Sequence, residues 1–309
     1  MSLAFVFPGQ GSQSEGMLSA LATEFSEVEA TFREASEVLG YDLWDIVQNG
    51  PADKLNSTDI TQPAMLAAGV AVWRVWQAKG GAQPTVLAGH SLGEYTALVC
   101  GGSLAFTDAI KLVAERGRLM QEAVPAGTGA MAAVLGLEDD VVRQVCSDAA
   151  AGEVLEAVNF NSPGQVVVAG NKAAVERLVD LAKERGAKRA LLLPVSVPSH
   201  CALMQPAADQ LASVLKEVAI QAPTIPVINN ADVASPSDPD AIRDALVRQL
   251  YSPVRWVETI QKMNSDGVDR LIECGPGKVL VGLYMRIERK MAAQAMFDPD
   301  ILSAALAEE

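Results

Sequence analysis

Short apolar runs alternate along this chain with longer stretches in which apolar residues recur at helical spacing. The runs Leu3–Phe7 and Thr85–Ala88 are almost wholly apolar, which is typical of strands buried in a parallel sheet. The stretch Pro63–Lys79 predicts a helix, with proline in its first turn and two glycines after its end. Because strands alternate with helices, the pattern predicts a parallel sheet with helices on both faces.

The pattern changes between residues 127 and 195. Apolar runs there predict strands at 131–135, 154–158, 165–169 and 189–193, with helices at 138–150 and 172–185. That order is β-α-β-β-α-β, the split ferredoxin-like unit. The predicted fold class is therefore α/β. A large α/β-hydrolase-like domain with a parallel sheet comprises residues 1–126 and 196–309, and an inserted small ferredoxin-like domain comprises residues 127–195.

The α/β pattern returns after the insertion. Strands are expected at 225–228 and 269–273, and helices at 241–251, at 254–263 and after Gly277. We expect roughly the last 15 residues to be loosely attached, because chain ends often are.

The charge balance narrows the class of partner. The chain has 24 basic and 38 acidic residues, a net charge of −14, which argues against nucleic acid or an anionic membrane as the main partner. Basic residues cluster only locally, at Lys183, Arg185, Lys188 and Arg189, and at Arg286, Arg289 and Lys290. The longest apolar run, Tyr95–Phe106, is shorter than the roughly 20 residues of a membrane span. Without an evident signal peptide, we expect a cytoplasmic protein.

The four cysteines predict no metal site and no disulfide framework. Cys100, Cys146, Cys201 and Cys274 lack metal-type spacing, and a chain of 309 residues can form a core without crosslinks. Free thiols in a reducing compartment are expected. We expect no metal and no cofactor.

The strongest chemical signal is Gly89-His90-Ser91-Leu92-Gly93. A G-x-S-x-G sequence between a buried strand and a helix predicts a tight elbow that exposes the serine at the helix N-terminus. The free N–H groups and the dipole of that terminus favour a developing oxyanion. We therefore predict that Ser91 is a nucleophile, although the same glycines could build a purely structural turn.

A serine nucleophile needs a base, and the chain has two histidines. His90 adjoins Ser91, but neighbouring side chains in the elbow point in different directions, so we expect it to support the loop. His200 follows a strand and Pro198 and is the better candidate. No acidic residue between Ser91 and His200 stands out as a third member, which argues against an ordinary esterase.

Several motifs and single residues follow one another along the chain. In order they are Phe7-Pro8-Gly9-Gln10-Gly11-Ser12-Gln13, Gly89-His90-Ser91-Leu92-Gly93-Glu94-Tyr95, Arg116, Asn159-Phe160-Asn161-Ser162-Pro163, Pro198-Ser199-His200, Gln249 and Glu273-Cys274-Gly275-Pro276-Gly277. Together they resemble the malonyl-CoA:acyl carrier protein transacylases of type II fatty-acid synthesis. The resemblance covers essentially the whole chain. It implies ping-pong transfer of malonyl from CoA to the carrier's phosphopantetheine thiol through an ester on Ser91.

The resemblance also implies a role for individual residues. His200 would be the base, and the side-chain carbonyl of Gln249 would orient its imidazole in place of an acid. The backbone N–H groups of Gln10 and Leu92 would form the oxyanion hole.

Further residues would contact the substrate. Arg116 would bind the free malonyl carboxylate, since its planar fork matches a carboxylate; by pattern alone it reads as a helix-surface arginine. His90, Asn159 and Asn161 would contact the substrate or the loop, or the two asparagines would simply build a turn. Ser199 precedes the base as it does in free-standing fatty-acid enzymes, although serine there is also common in methylmalonyl-selective relatives.

The expected partners are malonyl-CoA and, transiently, an acidic acyl carrier protein, with no nucleic acid and no membrane, and the enzyme is expected to be a monomer. Because carrier and enzyme are both acidic, we expect docking on one of the two basic clusters. Two other readings remain at this point. One is a thioesterase or esterase, in which water accepts the acyl group. The other is a non-catalytic carrier-binding scaffold.

Overall fold

The computed structural model describes residues 2–195 and 197–307. Its strands are β1 Leu3–Phe7, β2 Val86–Gly89, β3 Gly129–Leu135, β4 Leu155–Ser162, β5 Gln165–Asn171, β6 Arg189–Leu192, β7 Val227–Ile228, β8 Arg270–Cys274 and β9 Ala292–Met296. Its helices are α1 Ser19–Glu24, α2 Ser26–Leu39, α3 Leu43–Asn49, α4 Ala52–Leu55, α5 Thr58–Ala78, α6 Gly93–Cys100, α7 Phe106–Ala123, α8 Asp139–Ala150, α9 Lys172–Glu184, α10 Gln205–Lys216, α11 Pro239–Gln249, α12 Trp256–Ser265, α13 Val279–Ile287 and α14 Pro299–Ala307.

The larger sheet is parallel and runs β7-β2-β1-β8-β9. Alternate residues of β1 enter two different cores, which is why the whole strand is apolar. Phe5 packs edge-on against Trp73 and Trp76 of α5. Val6 points to the opposite side, into a core that contains Trp256 of α12.

The smaller sheet is antiparallel and runs β4-β5-β3-β6, the order expected of a split β-α-β unit. Helices α8 and α9 cover one face, and the other face packs on the segment around Cys201. The fold class predicted from the sequence is therefore confirmed. The boundary after residue 126 stays a prediction, and the second boundary falls on residue 196, outside the described residues.

Strand β4 also joins the small sheet to the rest of the molecule. The N–H of Val254, just before α12, donates to the carbonyl oxygen of Val158 at 2.8 Å. The N–H of Phe160 donates to the carbonyl oxygen of Val254 at 3.0 Å. These two bonds continue strand-like pairing across the gap between the sheets and fix β4 beside the carboxyl edge of the parallel sheet.

Two predictions about elements were wrong. Helix α5 begins at Thr58, so Pro63 lies inside it rather than in its first turn. Burial of the whole segment 61–73 outweighs the one backbone hydrogen bond that proline cannot make.

The C-terminal segment is docked rather than loose. Strand β9 pairs with β8 along five residues, and α14 buries Leu302 and Ala305. The guanidinium of Arg270 donates to the carbonyl oxygen of Ala305 at 2.7 Å. Without β9, β8 would be an exposed edge of the sheet.

Candidate active site

The G-x-S-x-G segment forms the elbow that its sequence predicts. It connects β2 to α6, and Ser91 has a left-handed backbone with φ of 52°. A Cβ atom on Gly89 would lie 1.8 Å from the carbonyl carbon of Gly93, and one on Gly93 would lie 2.0 Å from the carbonyl oxygen of Phe7. Both glycines are therefore required by close backbone approach, and the strained serine is held at the turn.

Ser91 and His200 are brought together by this fold. The Oγ of Ser91 lies 2.8 Å from Nε2 of His200. Nδ1 of His200 lies 2.8 Å from the backbone carbonyl oxygen of Gln249, which only accepts hydrogen bonds. Nδ1 therefore carries the proton, and Nε2 is left to accept the proton of the serine hydroxyl. This is the geometry of a nucleophile with its general base.

His200 is held in an unusual backbone conformation. Its φ is 68°, and its N–H donates to the carbonyl oxygen of Leu250 at 3.0 Å. The side chain is buried, and this burial, together with the positive charge of Arg116, lowers the pKa of His200 to about 3. The imidazole is consequently neutral, as a base must be, at any ordinary pH.

The predicted contact of Gln249 was wrong in one respect. Its backbone carbonyl orients His200, whereas we expected the side-chain carbonyl to do so. The side chain is already engaged: Nε2 donates to the carbonyl oxygen of Ser91 at 3.0 Å and to Oε2 of Glu94 at 2.8 Å. Its Oε1 accepts from Arg116 at 3.1 Å.

Arg116 lies inside the molecule and not on a helix surface, since it is only 1% exposed. Its Nη1 donates to Oε1 of Gln62 at 2.8 Å, and its Nη2 lies 3.4 Å from Oγ of Ser91. The neighbouring Gly117 lets α7 approach α5, since a Cβ there would lie 2.7 Å from Cα of Asp59. Nε of Arg116 has no hydrogen-bond partner among the described residues. A buried cation therefore lies beside the hydroxyl of Ser91.

His90 and the two asparagines take different places. Nε2 of His90 lies 2.8 Å from Oδ1 of Asn161, and its ring packs against Trp256 with centroids 5.5 Å apart. Asn159 and Asn161 belong to β4, so the alternative that the two asparagines build a turn was wrong. Oδ1 of Asn159 is buried and has no hydrogen-bond partner in the described part of the chain. Asn159 lines the cavity beside Ser91, so a polar atom there is free to meet a ligand.

Seven of the nine residues predicted for the site line one cavity of about 120 Å³, whereas Gln249 and Asn161 do not line it. It is lined by Gln10, His90, Ser91, Leu92, Arg116, Met120, Met131, Asn159, Leu193, Val195, Val197, Ser199 and His200. The first hydrogen bonds of α6 are donated by residues 93–95, so the N–H of Leu92 lies ahead of the helix ladder. Gln10 and Leu92, whose backbone N–H groups are predicted to bind the oxyanion, thus both line the cavity.

Sequence reasoning missed three residues of this network: Asn230, Glu94 and Gln62. Oδ1 of Asn230 accepts from the N–H of Ser91 at 2.7 Å, and its Nδ2 donates to the carbonyl oxygen of Gly89 at 2.7 Å. Its position just after β7, at the carboxyl edge of a parallel sheet, is the one signal that could have identified it.

The described residues contain no group of three or more His, Cys, Asp and Glu arranged to hold a metal ion. Within 2–195 and 197–307, each helix is too short or too polar to span a bilayer. The four cysteines are free and buried.

Comparison with known proteins agrees with the geometry. Residues 4–295 match the family described as acyl transferase domain. The malonyl CoA-acyl carrier protein transacylase of Haemophilus influenzae is 62% identical over 296 residues, which are 96% of this chain and 95% of the relative.

Two solved structures are similar throughout. An acyl carrier protein S-malonyltransferase from Vibrio cholerae is 63% identical, with a TM-score of 0.96 over 98% of this chain and 99% of that one. The malonyl-transacylase from a complex with its type II PKS acyl-carrier protein is 58% identical, with a TM-score of 0.99 over 100% of both chains. The chain therefore belongs to the acyl transferase family and, within it, to the malonyl CoA-acyl carrier protein transacylases.

Proposed function

We propose that this protein transfers a malonyl group from malonyl-CoA to the phosphopantetheine thiol of an acyl carrier protein, through an ester on Ser91, in fatty-acid biosynthesis. One observation carries the proposal: the guanidinium of Arg116 lies 3.4 Å from the nucleophilic oxygen, and both residues line the same cavity. A malonyl thioester ends in a free carboxylate, which a guanidinium binds in a bidentate manner. A plain acyl thioester has no group to pair with this buried charge.

In the first half-reaction, Oγ of Ser91 attacks the thioester carbonyl and Nε2 of His200 takes its proton. The N–H groups of Gln10 and Leu92 stabilise the resulting oxyanion. The carbon–sulfur bond then breaks, and the CoA thiolate leaves with the proton from His200. The malonyl group remains as an ester on Ser91, held by Arg116.

In the second half-reaction, His200 takes the proton of the carrier's phosphopantetheine thiol. The thiolate attacks the ester carbonyl, and Ser91 leaves and regains its proton from His200. Asn159, His90 and Asn161 form the opposite side of the site. Asn159 would donate to or accept from the acyl group, while His90 and Asn161 hold that side in place.

The backbone contact of His200 supports transfer through a neutral base. A carbonyl oxygen fixes the tautomer without adding the negative charge of a triad aspartate, so the imidazolium is less stabilised. The transient imidazolium is therefore a strong acid, and it protonates the departing thiolate readily.

The test is the intact mass of the protein after brief exposure to malonyl-CoA. We expect native protein to gain one malonyl group, Ser91→Ala to gain none, and Arg116→Met to gain it about a hundredfold more slowly. Arg118→Met is the matched control. It lies two residues later on α7 but is exposed and paired with Glu115 and Glu122, so its acylation should equal that of native protein.

Three outcomes would contradict the proposal. Steady release of free malonate without an adduct would indicate a hydrolase. Neither adduct nor turnover would indicate a non-catalytic scaffold. Equal acylation of native protein and Arg116→Met would remove Arg116 from substrate recognition.

We further propose that the carrier docks on a surface formed by both basic clusters. In the small sheet, Arg189 of β6 pairs with Leu135 of β3, which pairs with Gln165 of β5. Arg286 of α13 donates to Oε1 of Gln165 at 2.6 Å. Adjacent strands are about 4.8 Å apart, so one short row of residues connects the two clusters.

Charge pairing separates the members of this surface. Lys183 and Arg185 already face Asp180 and Asp148. Lys188 and Arg189 have no ion pair within the described residues, and are therefore better suited to meet an acidic carrier.

Charge reversal tests the docking surface. We expect Lys188→Glu/Arg189→Glu and Arg286→Glu/Arg289→Glu to raise the KM for the carrier about tenfold and to leave acylation by malonyl-CoA unchanged. Lys216→Glu, an exposed change on α10, is the control for added negative charge. Unchanged carrier kinetics in both doubly reversed variants would contradict this surface.

The monomeric state and the cytoplasmic location remain proposals that follow from the sequence. Sedimentation of the purified protein would test the first.

A further inference from the structure

A buried carboxylate lies behind the catalytic pair and takes no part in the reaction proposed above. Glu94 is in the first turn of α6 and is only 2% exposed. A carboxylate is costly to bury unless hydrogen bonds satisfy it. Its presence three residues after the nucleophile therefore calls for a role.

The hydrogen bonds of Glu94 converge on one oxygen. Oε2 accepts from the N–H of Asn230 at 2.8 Å and from Nε2 of Gln249 at 2.8 Å. Asn230 in turn binds the N–H of Ser91 and the carbonyl of Gly89. One carboxylate oxygen thus connects the strained elbow to the residue whose backbone orients the base.

Two acceptors together decide which way the amide of Gln249 faces. Oε2 of Glu94, at 2.8 Å, and the carbonyl oxygen of Ser91, at 3.0 Å, only accept hydrogen bonds, so both hold Nε2 of Gln249 on their side. Oε1 is thereby turned toward the guanidinium of Arg116, 3.1 Å away. If the amide turned over, its NH₂ group would face the cation and the contact would become repulsive. Glu94 therefore contributes to the orientation of Arg116 through Gln249, without a hydrogen bond of its own to the guanidinium.

We infer that Glu94 is a positioning residue that, through the amide of Gln249, sets the guanidinium of Arg116 for the substrate carboxylate. The inference rests on the proposed role of Arg116. It predicts that loss of Glu94 impairs recognition of the carboxylate more than it impairs chemistry at Ser91. Burial raises the pKa of Glu94 to about 7, against the opposing effect of its hydrogen bonds from Gln249 and Asn230, so burial of the charged form costs free energy.

The test compares acylation of Ser91 by malonyl-CoA and by acetyl-CoA, which lacks the carboxylate. We expect Glu94→Gln to lower the malonyl-to-acetyl rate ratio about tenfold, less than the roughly hundredfold that a 1 Å misplacement can cost. Gln249→Met should lower the ratio similarly, because it keeps the backbone carbonyl for His200. The double variant should lose little more than either single one, since both break one connection.

Glu273→Gln is the matched control. Glu273 is also fully buried, its pKa is also raised to about 7 by burial, and its Oε2 accepts from the N–H of Val281 at 2.8 Å, away from the site. It reports the general effect of removing a buried carboxylate, and its rate ratio should stay at the native value. If Glu94→Gln fails to fold, Glu94→Asp, with the charge withdrawn by one methylene, carries the same expectation.

Three results separate the outcomes. A lowered ratio in Glu94→Gln and in Arg116→Met, with a native ratio in Glu273→Gln, supports the inference. A lowered ratio in Arg116→Met with equal losses for both substrates in Glu94→Gln overturns the inference and leaves the proposed function intact. A native ratio in Arg116→Met overturns the role of Arg116 and the inference with it.

Discussion

The two histidines of this chain line the same cavity as Ser91 but are held in different ways. His200 is fixed by backbone atoms on both sides: its Nδ1 by the carbonyl of Gln249 and its N–H by the carbonyl of Leu250. His90 is fixed by side chains, with Asn161 at its Nε2 and Trp256 against its ring. His90 is the neighbour of Ser91 in the sequence, but it is His200 whose ring nitrogen lies beside Oγ of Ser91.

The difference shows that the elbow places Oγ of Ser91 beside the histidine that is distant in the sequence, His200. The left-handed backbone of Ser91 turns its side chain toward the loop that carries His200, while His90 points toward β4. His90 therefore contacts the wall contributed by the small sheet, and His200 contacts the hydroxyl of Ser91.

Removal of each imidazole should separate these roles most strongly. We expect His200→Ala to slow acylation of Ser91 by about 10³-fold or more, because no other base lies within reach of Oγ in the described residues. The acylation rate is measured from the intact mass of the protein in samples quenched at successive times after mixing with malonyl-CoA. A loss below tenfold would mean that another group takes the proton.

His90→Phe should have a much smaller effect on rate, below about tenfold. The phenyl ring keeps the packing on Trp256 but leaves Oδ1 of Asn161 without its donor, at a cost of about 1–3 kcal/mol in stability. Acylation rates and thermal unfolding of the same preparation check both parts. Asn161→Ala, which removes the other partner, is the companion variant. A loss of activity as large as that of His200→Ala would end the distinction between the two histidines.

The protonation of His200 can be observed directly, because His90→Phe leaves it as the only histidine. Its pKa of about 3 lies below the ordinary value of 6.5. The ring should therefore stay neutral from pH 7 to pH 5, where an ordinary imidazole becomes mostly protonated. NMR shifts of the ring protons measure this, and a midpoint near 6.5 would show that the ring is open to solvent.

The smallest effect concerns stability as a function of pH. The unfolded chain protonates His200 below about pH 6.5 and the folded chain only near pH 3, so the unfolded state binds more protons between these values. Native protein should lose up to about 1.4 kcal/mol per pH unit, relative to His200→Ala, as the pH falls from 6.5. Urea unfolding at pH 7.0, 6.0 and 5.0 measures the difference. Parallel curves for the two proteins would contradict the lowered pKa.

The sequence predicted the fold and the contact between Ser91 and His200, because the elbow and the order of elements left local signals. The elbow follows from Gly89 and Gly93, and the small sheet follows from a change in the order of elements. The loose C-terminus was a wrong prediction because pairing of β9 with β8 is decided by an open sheet edge far away in the chain.

The contacts behind the pair left no such signal. The carbonyl of Gln249 that orients His200 is a backbone atom, which any residue at that position would offer. Asn230, Glu94 and Gln62 come from three separate segments, and only the finished fold brings their polar atoms together. The sequence pattern places Arg116 on the surface of α7. Only the structure shows that α5 approaches α7 closely at Gly117, beside Arg116.

The pairing of β4 with Val254 has a consequence for how this enzyme could be re-engineered. Met131, Asn159, Leu193 and Val195, part of the cavity wall, are all contributed by the segment 127–195. Exchanging that segment for the segment of a relative would therefore replace one wall of the cavity and keep Ser91, His200 and Arg116 of this chain. A graft from a relative would have to reproduce the two backbone bonds at Val254, since they set the depth of the transplanted wall above the serine.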